Sequence, residues 1–148
     1  MKKIVIEENE FTSIYYDQTL KLYEQYWHPA TADMQDEDYQ IIQSRMVAFV
    51  KKHRLPILNY YLDNREFYYV MSPEMQDWQV EFVGQKLFDI THAVMGDLSS
   101  IKVAVIISSE FISQLSIEQT FEENSEQVHE GETRYFDDDQ KALEWLLV

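Results

Sequence analysis

The residues best placed to do chemistry form a small set, and the most pointed of them is Ser72. Ser72-Pro73-Glu74 carries the signature of a helix start, with serine at the cap, proline at the first helical position and an acid in the first turn. A phosphate on Ser72 would meet free backbone donors and the positive end of a helix dipole, which makes Ser72 the candidate phosphoacceptor or regulatory residue. The competing reading of these three residues is plain capping. Ten tyrosines supply the second set. Tyr15, Tyr16, Tyr23 and Tyr26 fall in an opening hairpin, and Tyr60, Tyr61, Tyr68 and Tyr69 lie around a central strand. Neighbours on a strand point to opposite faces, so adjacent tyrosines cannot share one core. Tyr15, Tyr23, Tyr26, Tyr68 and Tyr69, together with Trp78, are therefore candidates for a partner surface or for the lining of an apolar ligand pocket. Ordinary packing competes with both.

Other reactive residue types are scattered or missing. His28, His53, His92 and His129 show no metal-ligand spacing, so solvated or locally bonded imidazoles are expected rather than a metal site. Asp137-Asp138-Asp139 opens a helix, where the dipole accounts for it, and lacks the alternating ligands of a calcium loop. The chain has no cysteine, hence no disulfide framework, thiol nucleophile or thiolate metal site. Its three glycines, Gly84, Gly96 and Gly131, form no phosphate-cradling loop, and there is no nucleophile elbow. The expectation is a protein that is not an enzyme and uses no cofactor, although carboxylates that pair only in space are invisible in sequence.

The elements that must hold these residues follow from patterning. Phe11 to Tyr16 and Leu20 to Tyr26 predict two antiparallel strands joined by a short polar turn. Asp36 to Arg54 predicts a helix, with Tyr39, Ile42, Met46, Phe49 and Val50 on one face, Asp36 as its cap and bases in its last turn. Pro56 to Asp63 predicts a buried strand, and Ser72 opens a second helix that runs to Gly96, loosened near Gly84 into two pieces. Ile101 to Ile107 is the clearest buried strand. A helix from Phe111 through Phe121, a strand Thr133 to Phe136 and a closing helix started by Asp137 and Gln140 complete the order. Strands alternating with helices after a hairpin imply an α/β fold: a mostly parallel sheet of about five strands, a leading antiparallel hairpin and about four helices.

Composition bounds the setting. A chain of 148 residues, 45% apolar and 14% aromatic, fits one domain over 1–148. The formal charge of −15, concentrated from Glu118 to Asp139, repels phosphate backbones, so nucleic acid is not an expected partner. Met1 to Glu8 lacks the apolar run of a signal peptide, and no later segment approaches the length of a membrane span. A soluble cytoplasmic protein without stable membrane insertion is expected.

The linear pattern resembles the small bacterial STAS/SEC14-type proteins with a SpoIIAA-like fold. The resemblance is carried by YYDQTLKLYEQYWHPATADMQDEDY, SPEMQDW, KVAVIIS followed by QLSIEQTF, and RYFDDDQKALEWLL, and it covers the chain from about Phe11 onward. It implies a non-enzymatic STAS-like interaction or regulatory module that binds a protein partner, including a second copy of itself. Relatives of this kind are switched by phosphorylation of a serine at a helix start after a central strand, a place that corresponds here to Asp63 to Glu74. Their Asp-Ser-Ser-Gly-like signature is absent, and Ser72 follows a longer loop. The SEC14-like side of the resemblance implies the alternative, a carrier or sensor of a small apolar or lipid-like ligand, to which Met71, Met75 and Met95 would lend adaptable lining.

Overall fold

The computed structural model describes residues 3–96, 100–108 and 131–148. The helix expected from Phe111 through Phe121, His129 and most of the acidic run from Glu118 lie outside the described residues.

Six strands form one sheet in sequential order: β1 (Lys3–Glu8), β2 (Thr12–Asp17), β3 (Leu22–Trp27), β4 (Asn59–Asp63), β5 (Ile101–Ile106) and β6 (Gly131–Phe136). β1 to β3 pair antiparallel, and β3 to β6 pair parallel. This is the expected α/β class with one strand more than expected, because Lys3 to Glu8 joins the sheet. Two short turns set the antiparallel part. Asn9 Oδ1 accepts from the backbone N–H groups of Phe11 and Thr12, and Asp17 Oδ1 accepts from Leu20 N before Lys21 takes a left-handed φ of 51°. A bulge between Val5 and Glu7 shifts the β1 register and lets Glu7 meet Arg45 of the first helix.

That helix, α1 (Asp36–His53), buries Tyr39, Ile42, Met46 and Val50 at three- and four-residue steps, as the spacing predicts. Its cap differs from the expectation. Gln35 is the N-cap and Asp38 Oδ2 accepts from its backbone N–H, while Asp36 is the first helical residue and accepts from the Tyr69 hydroxyl. Arg54 closes the helix in the left-handed region. α2 (Pro73–Trp78) starts as expected, with Ser72 Oγ accepting from Met75 N at 3.2 Å. A π-helical turn, Gln79–Gly84, then leads into α3 (Gln85–Met95), so the loosening read from Gly84 is a widened turn rather than a break. Gly96 ends α3 with φ +80°. The last helix, α4 (Asp139–Leu146), is capped by Asp138, which accepts from Gln140 N and Lys141 N, and not by Asp137.

The two faces of the sheet are covered unequally. Ile14, Tyr16, Tyr23, Tyr60 and Ile101 face α1, the π-helical turn and α3, whose Met46, Val50, Val83 and Leu87 complete the main core. On the other face α4 packs Ala142 and Leu146 against Leu22, Tyr61, Ala104 and Ile106. Among the described residues, no helix covers the β1–β2 part of that second face, where Val5 is half exposed. No helix among the described residues is long and apolar enough to cross a membrane.

Candidate functional site

Between the sheet and the helices lies a cavity of about 320 Å³. Its floor comes from alternate residues of three neighbouring strands: Tyr23, Gln25 and Trp27 of β3, Tyr60 and Leu62 of β4, and Val103 of β5. One turn-and-turn-again stripe of α1, Tyr39, Gln43 and Met46, forms a wall. The π-helical turn provides the opposite wall with Gln79 and Val83. A mouth is rimmed by Asn64, Phe67 and Met71 from the loop after β4. Wide turns of this kind are frequent at functional sites because they re-aim side chains, here Gln79.

Three glutamines far apart in sequence join inside this space. The Tyr23 hydroxyl donates to Gln25 Oε1 at 2.7 Å. Gln25 Nε2 donates to Gln43 Oε1 at 3.2 Å and to Thr12 Oγ1 at 3.3 Å. Gln43 Nε2 donates to Gln79 Oε1 at 3.2 Å, which also receives the Tyr39 hydroxyl. Gln25 and Gln43 are each 3% exposed, so the chain is a buried polar network, held together only because its members satisfy one another. Around it stands an aromatic cage, with Trp27 at 4.6 Å from Phe67 and stacked on Tyr39 at 5.8 Å between ring centroids. Tyr39 stacks in turn on Tyr69 at 5.2 Å.

Tyr60 breaks the pattern of satisfaction. It is 8% exposed and lines the cavity. Its ring meets Tyr23 at 5.5 Å, yet its hydroxyl has no hydrogen-bond partner among the described residues. Buried native hydroxyls almost always have one. Burial pushes the hydroxyls of Tyr23, Tyr39 and Tyr60 well above the usual tyrosine range, with neighbouring tyrosines adding to the shift. All three are therefore neutral groups at physiological pH, able to offer hydrogen bonds without carrying charge.

The part of the second face that no described helix covers makes a wider, open groove of about 860 Å³. Here Lys3 pairs with Glu24 at 2.9 Å, Tyr26 donates to Glu24 at 2.7 Å, and Arg65 pairs with Asp63 at 2.6 Å. Ser13 Oγ and His28 Nε2 lie 2.9 Å apart, and no hydrogen bond reaches the other ring nitrogen of His28 among the described residues. A nucleophile and base without a third group to orient the base is an incomplete constellation. Lys3, Glu24, Asp63 and Arg65 of the groove are paired with one another, whereas the smaller cavity holds a buried hydroxyl without a partner among the described residues.

The structure separates the tyrosines singled out from sequence. Tyr15 and Tyr26 share the open groove, 6.2 Å apart. Tyr23 is fully buried on the cavity side and so belongs to no outer surface. Tyr68 is 52% exposed, while its neighbour Tyr69 is buried against Tyr39. Trp78 is half-buried, stacked on Phe82 at 5.0 Å beside the cavity helices. Ser72 caps α2 and lies next to Met71 at the rim. His53 packs on Phe49 at 4.4 Å, and among the described residues no three His, Asp or Glu side chains gather as metal ligands would.

Sequence reasoning missed Gln25, Gln43, Gln79 and the special position of Tyr60. A signal for two of them was present. Gln43 interrupts the apolar stripe of α1 between Tyr39 and Met46, and Gln25 lies between Tyr23 and Trp27 on the inward face of β3. Gln79 had no such mark, because only the π-helical turn directs it inward. In comparisons with known proteins, no family model, no curated protein and no solved structure matches this chain.

Proposed function

We propose that the chain is a non-catalytic binding domain that holds one small, mainly apolar ligand in the cavity between the sheet and α1 to α3, as a carrier or sensor. The observation that carries this reading is the buried Tyr60 hydroxyl, without a partner among the described residues, in an uncharged cavity lined mainly by aromatic, methionine and aliphatic side chains with a few amides. Binding sites for small molecules have this composition, mostly apolar with a few convergent polar groups. The neutral phenols and amides hold protons rather than exchange them at neutral pH, which suits recognition better than acid–base chemistry. The STAS/SEC14-type resemblance adds to the same reading.

The test is native mass spectrometry of the protein purified under mild conditions, followed by challenge with a lipid extract. A bound species of discrete mass is expected, and it should be lost when Val103→Phe fills the cavity from the central strand. Leu62→Phe serves as a second filling variant if the first does not fold. A protein that carries and takes up nothing sinks the proposal.

A second reading rests on the open groove. Tyr15 and Tyr26 of that groove would suit a protein partner or a second copy of the chain. Tyr15→Ala with Tyr26→Ala should then abolish complex formation in a sizing experiment; a monomer at every concentration, with no partner retained by the wild type, excludes it.

A further inference from the structure

The direction of the amide chain determines what it offers a ligand. The Thr12 hydroxyl gives its only proton to the backbone carbonyl of Tyr26 at 2.8 Å, so toward Gln25 it can only accept. That forces Gln25 to turn Nε2 to Thr12, and its second N–H then points to Gln43 Oε1. Gln43 must in turn present Nε2 to Gln79 Oε1, where the Tyr39 hydroxyl also arrives. Every acceptor in the chain is occupied from within, and the row ends on the Gln79 Nε2 group, whose N–H donors meet no acceptor among the described residues. Aligned hydrogen bonds polarise one another, so the terminal N–H is a better donor than an isolated amide. None of the described residues lining the cavity is charged.

Building on the ligand-binding reading above, we infer that the ligand presents an uncharged hydrogen-bond acceptor, a ketone, ester or amide carbonyl, to Gln79 in the cavity that Tyr60 also lines. A carboxylate of the same skeleton would bury its charge with no cation to pair with, inside a chain of formal charge −15. A hydrocarbon would leave the donors unmet.

Equilibrium dialysis of the full chain at neutral pH separates the three classes in two series: 2-acetylnaphthalene, 2-ethylnaphthalene and 2-naphthoate; and 2-undecanone, undecane and decanoate. In at least one series the ketone binds about tenfold tighter than the matched hydrocarbon and the matched carboxylate, the span expected for pairing one half-buried amide donor. Gln79→Glu keeps an oxygen for Tyr39 and Gln43 but replaces the terminal amide with a second acceptor. It should cancel the ketone's advantage, read as the ratio of ketone to hydrocarbon affinity within the variant; Gln79→Met gives the same ratio readout if that variant does not fold. Equal affinity within both series, or a ketone preference that survives both variants, overturns the inference while leaving an apolar site standing. Absence of saturable binding by all six probes overturns the proposed function itself.

Discussion

Tyr60 and Tyr23 sit side by side on paired strands, both buried, and differ in one respect: the Tyr23 hydroxyl donates to Gln25, and the Tyr60 hydroxyl has no partner among the described residues. Replacing each with phenylalanine removes one oxygen and leaves the ring in place, so the two substitutions should have opposite signs in the ligand-free protein. An unsatisfied buried hydroxyl costs about 1–3 kcal/mol. The cavity beside Tyr60 admits water, which places the cost toward the lower end, and Tyr60→Phe should stabilise the free protein by about 1 kcal/mol. For a chain of this length that is roughly 3 °C in Tm. Tyr23→Phe leaves Gln25 Oε1 without its donor, and a loss of about 1–2 kcal/mol is expected. The assay is urea denaturation followed by circular dichroism, with the denaturant slope unchanged so that midpoints compare directly. Destabilisation by Tyr60→Phe as large as that by Tyr23→Phe would refute the reasoning, because it would mean that the Tyr60 hydroxyl is already bonded.

Three further outcomes follow from local geometry. Burial raises the Tyr16 and Tyr61 hydroxyls to about 12, so the folded chain keeps protons that the unfolded chain releases near pH 10; stability should be intact below about pH 10 and fall as pH rises toward 12. The main rise in tyrosinate absorbance should then coincide with loss of circular dichroism, and ionisation of the buried tyrosines in a folded protein would contradict this. Gly96→Ala places a side chain at φ +80° with nothing near its Cβ, so backbone strain alone should cost about 1–2 kcal/mol, whereas Gly84→Ala, in helical backbone with only Gln79 O at 3.7 Å, should be neutral or stabilising by about 0.5–1 kcal/mol. Thermal melts of the pair check both signs. Ser72→Ala removes the acceptor for Met75 N and should cost about 1 kcal/mol in the same assay without changing ligand uptake.

Much of the fold was legible because local rules and tertiary packing agree there. The stripe Tyr39, Ile42, Met46 and Val50, the start at Ser72-Pro73-Glu74, the stop at Gly96 and the run Ile101 to Ile107 each read one way in sequence and fold that way. Alternation along strands also separated Tyr15 from Tyr16 and Tyr60 from Tyr61 correctly. β1 was not legible, since Lys3 to Glu8 is a short charged segment whose place as a strand depends on pairing with β2. The caps at Asp36 and Asp137 were each off by one residue: the glutamine Gln35 takes the first, where an acid was the expected type, and the second falls to Asp138, one of three adjacent acids among which only backbone geometry chooses. The site was least legible. Gln25, Gln43 and Gln79 come from a strand, a helix and a π-helical turn, and isolated glutamines in such elements read as solvent-facing until the fold brings them together. The silence of the Tyr60 hydroxyl is a property of its neighbours, which no single position in the sequence records.

The most direct test of the ligand-binding account is amide and methyl chemical-shift mapping of the isotopically labelled chain during titration with 2-undecanone and, separately, with 2-acetylnaphthalene, the tighter binder of the two deciding. Saturable shifts should centre on Tyr23, Gln43, Tyr60, Gln79 and Val103, with Val5, Tyr15 and Tyr26 of the open groove unmoved. Shifts confined to the open groove, or none that saturate, would contradict it.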